Sequence, residues 1–183
     1  AVIGGYGLLG VVVDVSLRLV DNSKLKQTTK YLDYHDYANY LEKSLGNPSL
    51  ELHLARLSIA PGMGFLKRMY AVNYFNNGVY DESPKLVNPK LQSEKIKFLF
   101  DASRKSNAGK EVRWTLEKFL YHDIFHKGLI SRNNAMRPPV EFLFNKKEGE
   151  TDILQEYFVP PGKFVSFVDG LREIANENHI KDR

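Results

Sequence analysis

The most regular hydrophobic pattern lies near the start of the chain. In VVVDVSLRLV, residues Val11, Val13, Val15, Leu17 and Leu19 alternate with Val12, Asp14, Ser16, Arg18 and Val20. A period of two in β-branched residues predicts a strand with one apolar and one wetter face. The polar stretch DNSK at 21–24 breaks the pattern and marks the candidate domain boundary. KQTTKYLDY then predicts a short strand. Asp33 follows as the N-cap of a helix striped by Tyr37, Ala38, Leu41 and Leu45 and stopped by Gly46 and Pro48.

Downstream, SLELHLARLSIA sets Leu50, Leu52 and Leu54 against polar neighbours, PGMG at 61–64 reads as a turn, and FLKRMYAVNYF as a further strand. Residues 76–90 read as loop. Helices are expected over 91–105 and 110–126, the second marked by Val112, Leu116, Phe119, Leu120 and Ile124. Residues 128–149, broken by Pro138 and Pro139, read as loop, and TDILQEYFVP as a buried strand. The clearest element comes last. Behind Pro160 and Pro161, the residues Phe164, Phe167, Val168, Leu171, Ile174 and Ala175 form an i, i+3, i+4 stripe.

The order over 25–183 is therefore β-α-β-β-(α-α)-β-α, which predicts an α+β fold, an antiparallel sheet with helices on one face. The division expected is 1–22 as the remnant of one domain and 23–183 as a second. A chain that opens inside an apolar, glycine-rich segment and ends on a helix and NHIKDR reads as cut from something longer at both ends.

Composition narrows the function classes. With 43% apolar and 26% charged residues over 183, the chain is neither disordered nor fibrous. It has no Cys, which excludes a disulfide framework, a thiol nucleophile and Cys-based metal sites. The 26 Lys and Arg exceed the 22 Asp and Glu, but they are interspersed with acids, as in KLQSEKIKFLF and NKKEGE. Nucleic-acid binding needs clustered charge, so a mixed solvated surface is expected and no nucleic-acid partner. The opening AVIGGYGLLGVVV is 13 residues long with four Gly. A membrane-crossing helix needs about 20 apolar residues, and a signal peptide needs a basic leader. Neither is expected, and the cytoplasm is the expected location.

Two motifs could carry chemistry on their own. Gly5, Gly7 and Gly10 satisfy G-x-G-x-x-G, but a dinucleotide-binding turn requires a strand before the glycines and a helix after them. Here at most Ala1 to Ile3 precede them and a strand pattern follows. A glycine-rich turn that lets bare backbone approach a ligand or another segment remains open, as does close packing in a turn. His122 and His126 in HDIFH are spaced i, i+4, as two zinc ligands on one helix would be. No third ligand is evident and Asp123 is a poor stand-in for a general base, so no metal is expected. His35, His53 and His179 are scattered, with no Ser–His–acid grouping.

The stretch AVIGGYGLLGVVVDVSLRLV resembles the end of the FAD-binding domain in the vanillyl-alcohol-oxidase-type family of FAD-linked oxidases, where GG-x-G-x-x-G-[IV] enters a strand ending much like L-R-L. DILQEYFVPPGKFVSFVDGLREIA is similar to a strand and helix in the cap of the branch that includes decaprenylphosphoryl-ribose oxidase and sugar-alcohol oxidases, with ISRNNAMRPPVEF in the loop before it. The likeness is good over 1–20 and 150–178 and loose between. It implies a ferredoxin-like, substrate-binding cap preceded by the last strand of a flavin domain, and an enzyme that oxidises a hydroxyl-bearing sugar or polyol with FAD. It also implies adenine-side contacts through Gly5, Gly7, Gly10 and the backbone of Val11, and a substrate-facing role for Gln155 and Tyr157. Those two residues share one strand face, and Leu154 and Phe158 on the other would receive the last helix. The implied partners are a small-molecule substrate and the flavin domain that precedes residue 1, with association through an exposed strand edge also open. The resemblance assigns no catalytic residue. The alternative from another class is a stand-alone α+β binding module without cofactor.

Overall fold

Six successive residues of one strand, Met69 to Tyr74, are all buried, and this double-sided burial organises the chain. The computed structural model describes residues 8, 10–79, 86, 103, 106–119, 129–137, 149 and 155–178. Four strands are present among them: β1 (Ser23–Asp33), β2 (Leu50–Leu57), β3 (Arg68–Val79) and β4 (Leu129–Ser131). They form one antiparallel sheet in the order β2-β3-β1-β4. The register sets Tyr31 opposite Tyr70 and His53 opposite Asn73. The helices are α1 (Tyr37–Leu45), α2 (Asn107–Phe119), α3 (Arg132–Ala135) and α4 (Phe164–Glu177). The α+β class with an antiparallel sheet is as the sequence leads one to expect.

Because side chains alternate along a strand, Tyr70, Val72 and Tyr74 face one way and Met69, Ala71 and Asn73 the other. The first set packs with Leu25, Ala60 and Trp114 of α2, and with Ala135 of α3 at the margin. The second side is covered by α1 and α4, where Tyr34, Leu66, Met69 and Val168 form a second cluster. The helices are thus divided between the two faces, not gathered on one. A strand buried on both sides needs apolar cover on both.

Several local expectations are corrected. Residues 11–20 form no strand. Val11, Val13 and Leu19 are 88%, 94% and 85% exposed. A strand exists only as part of a ladder, and no described segment pairs with this one. β3 runs to Val79, beyond the loop expected from residue 76, because Ser23 and Leu25 extend its pairing to Val79 and Asn76. Within 128–149, read as loop, the short β4 pairs with β1, and Ser131 caps α3 by accepting from the Asn134 amide at 3.2 Å. Residues 155–160 are likewise not in a strand.

α2 lies opposite to its apolar pattern. Lys110, Arg113 and Trp114 are buried, whereas Val112, Leu116 and Phe119 are exposed. The sheet face it meets is aromatic and basic, so a mixed helix face suits it best. Trp114 lies 5.5 Å from the Tyr70 ring, Glu117 pairs with Arg56 at 3.0 Å, Glu111 with Arg68 at 2.8 Å, and Tyr31 donates to the Lys118 carbonyl at 2.5 Å. Leu120 and Ile124, the rest of the expected stripe, lie outside the described residues, as does the helix expected over 91–105 apart from Ser103.

The two readings of α2 give opposite mutational outcomes. Trp114→Ala is expected to lower unfolding free energy by about 3–5 kcal/mol, while Val112→Ser should stay within about 0.5 kcal/mol of the parent, as exposed positions do. Urea denaturation of the two variants measures both.

Candidate functional site

α4 starts directly behind the Pro160–Pro161 step. Pro161 opens a 3-10 turn over Pro161–Lys163, whose missing N–H would be unpaired there anyway, and α4 follows directly. Val168, 1% exposed, and Ala175 anchor the helix on the sheet. A cavity of about 300 Å³ opens between its first turn, α1 and the extended segment before it. Tyr37, Ala38 and Leu41 wall it from α1, and Tyr157, Phe164 and Phe167 close the other side. The aromatic rings are in contact: Tyr37 lies 4.8 Å from Phe164 and Tyr157 5.3 Å from Phe167.

Tyr37 connects this apolar cavity to a polar chain beneath α1. Its hydroxyl lies 3.0 Å from His53 Nε2, and His53 Nδ1 lies 2.5 Å from Asn73 Oδ1. The Asn73 amide nitrogen donates to the hydroxyls of Tyr40 at 3.0 Å and Ser44 at 3.2 Å. With the Asn73 oxygen facing His53, the bond between them is made in the tautomer that carries its proton on Nδ1. In the neutral ring Nε2 then accepts from Tyr37. Burial, then the nearby Tyr40, raises the Tyr37 phenol above its usual range, so it remains a donor. Asn73 is 3% exposed, and the chain orients Tyr37 at the cavity wall.

A second polar group lies along the same helix. Tyr34, capped into place by the turn at Asp33, donates to Asp169 at 2.6 Å, and Arg172 donates to the same carboxylate oxygen at 2.8 Å. Arg172 also stacks over the Tyr34 ring at 4.8 Å and donates to the carbonyls of Phe65 and Leu66. The hydrogen bonds from Tyr34 and then Arg172 hold the Asp169 carboxyl below its usual range, and the bond to Asp169, followed by burial, raises the Tyr34 phenol.

The residues singled out from sequence are only partly assembled. Gly5 and Gly7 lie outside the described residues; Gly10 has φ +132° and Val11 is exposed. Gln155 is exposed. Tyr157 packs on Phe167 of α4, while Phe158 is 95% exposed, so the face expected to receive the helix is reversed. The Pro160–Pro161 entry sets which side of 155–160 meets α4, and an unpaired segment has no pleat to keep it in a sheet register. His122 and His126 lie outside the described residues, and no metal-binding group of His, Asp and Glu occurs among those described. His53 was visible in sequence only as an isolated histidine. Its partners Tyr37 and Asn73 are 16 and 20 residues away; the sheet register brings Asn73 to it and the placement of α1 brings Tyr37.

Comparison with known proteins finds no family whose model matches the chain, no similar curated protein and no similar solved structure.

Two outcomes follow from the polar groups. Asn73→Ala should strand the His53, Tyr40 and Ser44 partners and cost about 1–3 kcal/mol, read from denaturant midpoints. Asp169 has a lowered folded-state pKa, so its contribution is present above the unfolded value of about 4 and is lost as pH falls through the folded one. Melting temperature should therefore fall on acidification below about pH 4, and Asp169→Asn should flatten that part of the profile while lowering the plateau at neutral pH.

Proposed function

We propose that the chain belongs to an FAD-dependent oxidoreductase that oxidises a hydroxyl-bearing, sugar- or polyol-like substrate in the cytoplasm, with residues 23–183 acting as the substrate-binding cap. The observation that carries this reading is the state of residues 11–20. They have the apolar alternation of a core strand, yet Val11, Val13, Leu17 and Leu19 are all more than three-quarters exposed. Burying such a face is worth about 1.5–3 kcal/mol per large side chain, so the segment is suited to a second protein surface. In the resemblance to FAD-linked oxidases, that surface is the flavin domain. A self-contained binding module, the rival reading, gives this segment nothing to do.

The local backbone is compatible with such a role. Gly10 adopts φ +132°, which L side chains rarely take, and no atom lies within 4 Å of where a Cβ would stand. Beside the exposed Val11 this leaves bare, approachable backbone, which fits contact with the adenine half of FAD through Gly5, Gly7, Gly10 and Val11. When bound, the flavin would supply the redox chemistry by accepting hydride from the substrate carbon. The cap's part is to wall the substrate cavity. Gln155, which is exposed, remains available to face substrate, and Tyr157 would contribute through the aromatic cavity it helps to form.

The protein expressed from the whole reading frame that contains these 183 residues should purify yellow, and a polyol or sugar substrate should bleach its flavin under anaerobic conditions. The 183-residue chain alone should keep no flavin after desalting. A colourless full-length protein, or a flavin that no hydroxyl substrate reduces, overturns the reading.

A further inference from the structure

Further along α4 than the aromatic cavity, a cavity of about 220 Å³ lies between the turn leading into β3, the first turn of α2 and the second half of α4. Three cations line it, Lys67, Lys110 and Arg172, together with the carboxamides of Asn107 and Asn176, and no carboxylate lines it among the described residues. These five groups come from three separate elements, so no single local motif accounts for their convergence. Ile59, Met63 and Phe65 make the remaining wall apolar.

The walls are held in place. Gly62, at φ +97°, turns the chain, and its carbonyl accepts from the Phe65 amide at 3.1 Å. Leu66 sits at φ +51°, anchored by its amide to Ser58 at 2.8 Å and by its carbonyl to Arg172 at 3.3 Å. Arg172 donates to Asp169, Phe65 and Leu66 and also interacts with the Tyr34 hydroxyl. Its guanidinium is therefore fixed in orientation where it lines the cavity. Lys110 is buried and Lys67 is exposed, so lysine side chains line the cavity both at depth and at the mouth.

We propose that this cavity is a binding site for a small organic phosphate whose apolar body rests on Ile59, Met63 and Phe65. Cations and amide donors on several sides suit the three peripheral oxygens of a phosphate dianion better than the two of a planar carboxylate. The volume admits a phosphate with a ring-sized substituent and little more. This site is separate from the aromatic cavity and does not rest on the flavoprotein reading.

Phenyl phosphate, inorganic phosphate and benzoate, each titrated calorimetrically into the 183-residue chain, test the assignment without any flavin. Phenyl phosphate should bind more tightly than either of the other two. Lys67→Glu, at an exposed position, should weaken it by about tenfold with an unchanged melting temperature. Asn176→Asp should weaken it in the same direction, and Lys43→Glu, a charge reversal on α1, should leave it unchanged. Absence of phenyl phosphate binding at millimolar concentration overturns the proposal. Equal affinity for benzoate overturns the phosphate assignment, and equal weakening by Lys43→Glu shows diffuse charge attraction and overturns a built site.

Discussion

The constraint on which the rest depends is the burial of β3 on both faces. A strand with one wet face would need helices on one side only, but the alternation of Met69, Ala71 and Asn73 with Tyr70, Val72 and Tyr74 leaves neither side free for water. α2 answers the aromatic side with Trp114, and α1 and α4 answer the other with Tyr37, Ser44 and Val168. Within the buried run Met69–Tyr74, Asn73 carries the one amide side chain. Asn73 would be costly to bury alone, and α1 supplies hydroxyls from Tyr40 and Ser44 while β2 supplies His53. The polar network is thereby a condition of placing α1 where it lies, as well as the means of orienting Tyr37.

α4 connects the features that bear on function. Its first turn walls the aromatic cavity, its middle carries Val168 into the core, and Asp169 and Arg172 fasten the turn before β3. That fastening makes an unusual backbone tenable. A non-glycine residue in the left-handed region costs on the order of 1 kcal/mol, and Leu66 offsets this with two backbone hydrogen bonds and a buried side chain. The cationic cavity and the aromatic one are therefore both set by the same helix, one by its second half and the other by its first turn.

The exposed segment at 11–20 stands apart from this self-consistent body. In β1 to β4 and α1 to α4, charged side chains on buried faces find partners, as Arg113 does with Glu117 and Ser103. Residues 11–20 instead expose a full apolar face. Their pattern matches a strand, and their surroundings in this chain do not provide one. The functional proposal is built on that mismatch.

From the sequence alone, the α+β class, the cap at Asp33, the stop of α1 at Gly46, the turn at 61–64, and α4 behind its proline pair were legible, whereas β1 starts at Ser23, inside the stretch read as a polar break. Each rests on a local cause: alternation, a capping aspartate, glycine chemistry, or proline geometry with a 3.6-residue stripe. What the tertiary structure decided was which surface each pattern meets. Val112, Leu116 and Phe119 formed the visible stripe of α2, yet the sheet offered tyrosines and arginines, so Trp114 and Glu117 turned inward. Tyr157 and Phe158 could not be told apart by alternation once the segment left any ladder, and contact with Phe167 chose Tyr157. His53, Asn73 and Tyr37, and likewise Lys67, Lys110 and Arg172, are remote in sequence and carry no shared motif. Strand register and helix placement alone bring them together, because side-chain proximity across a sheet is a property of the pairing and not of the spacing along the chain.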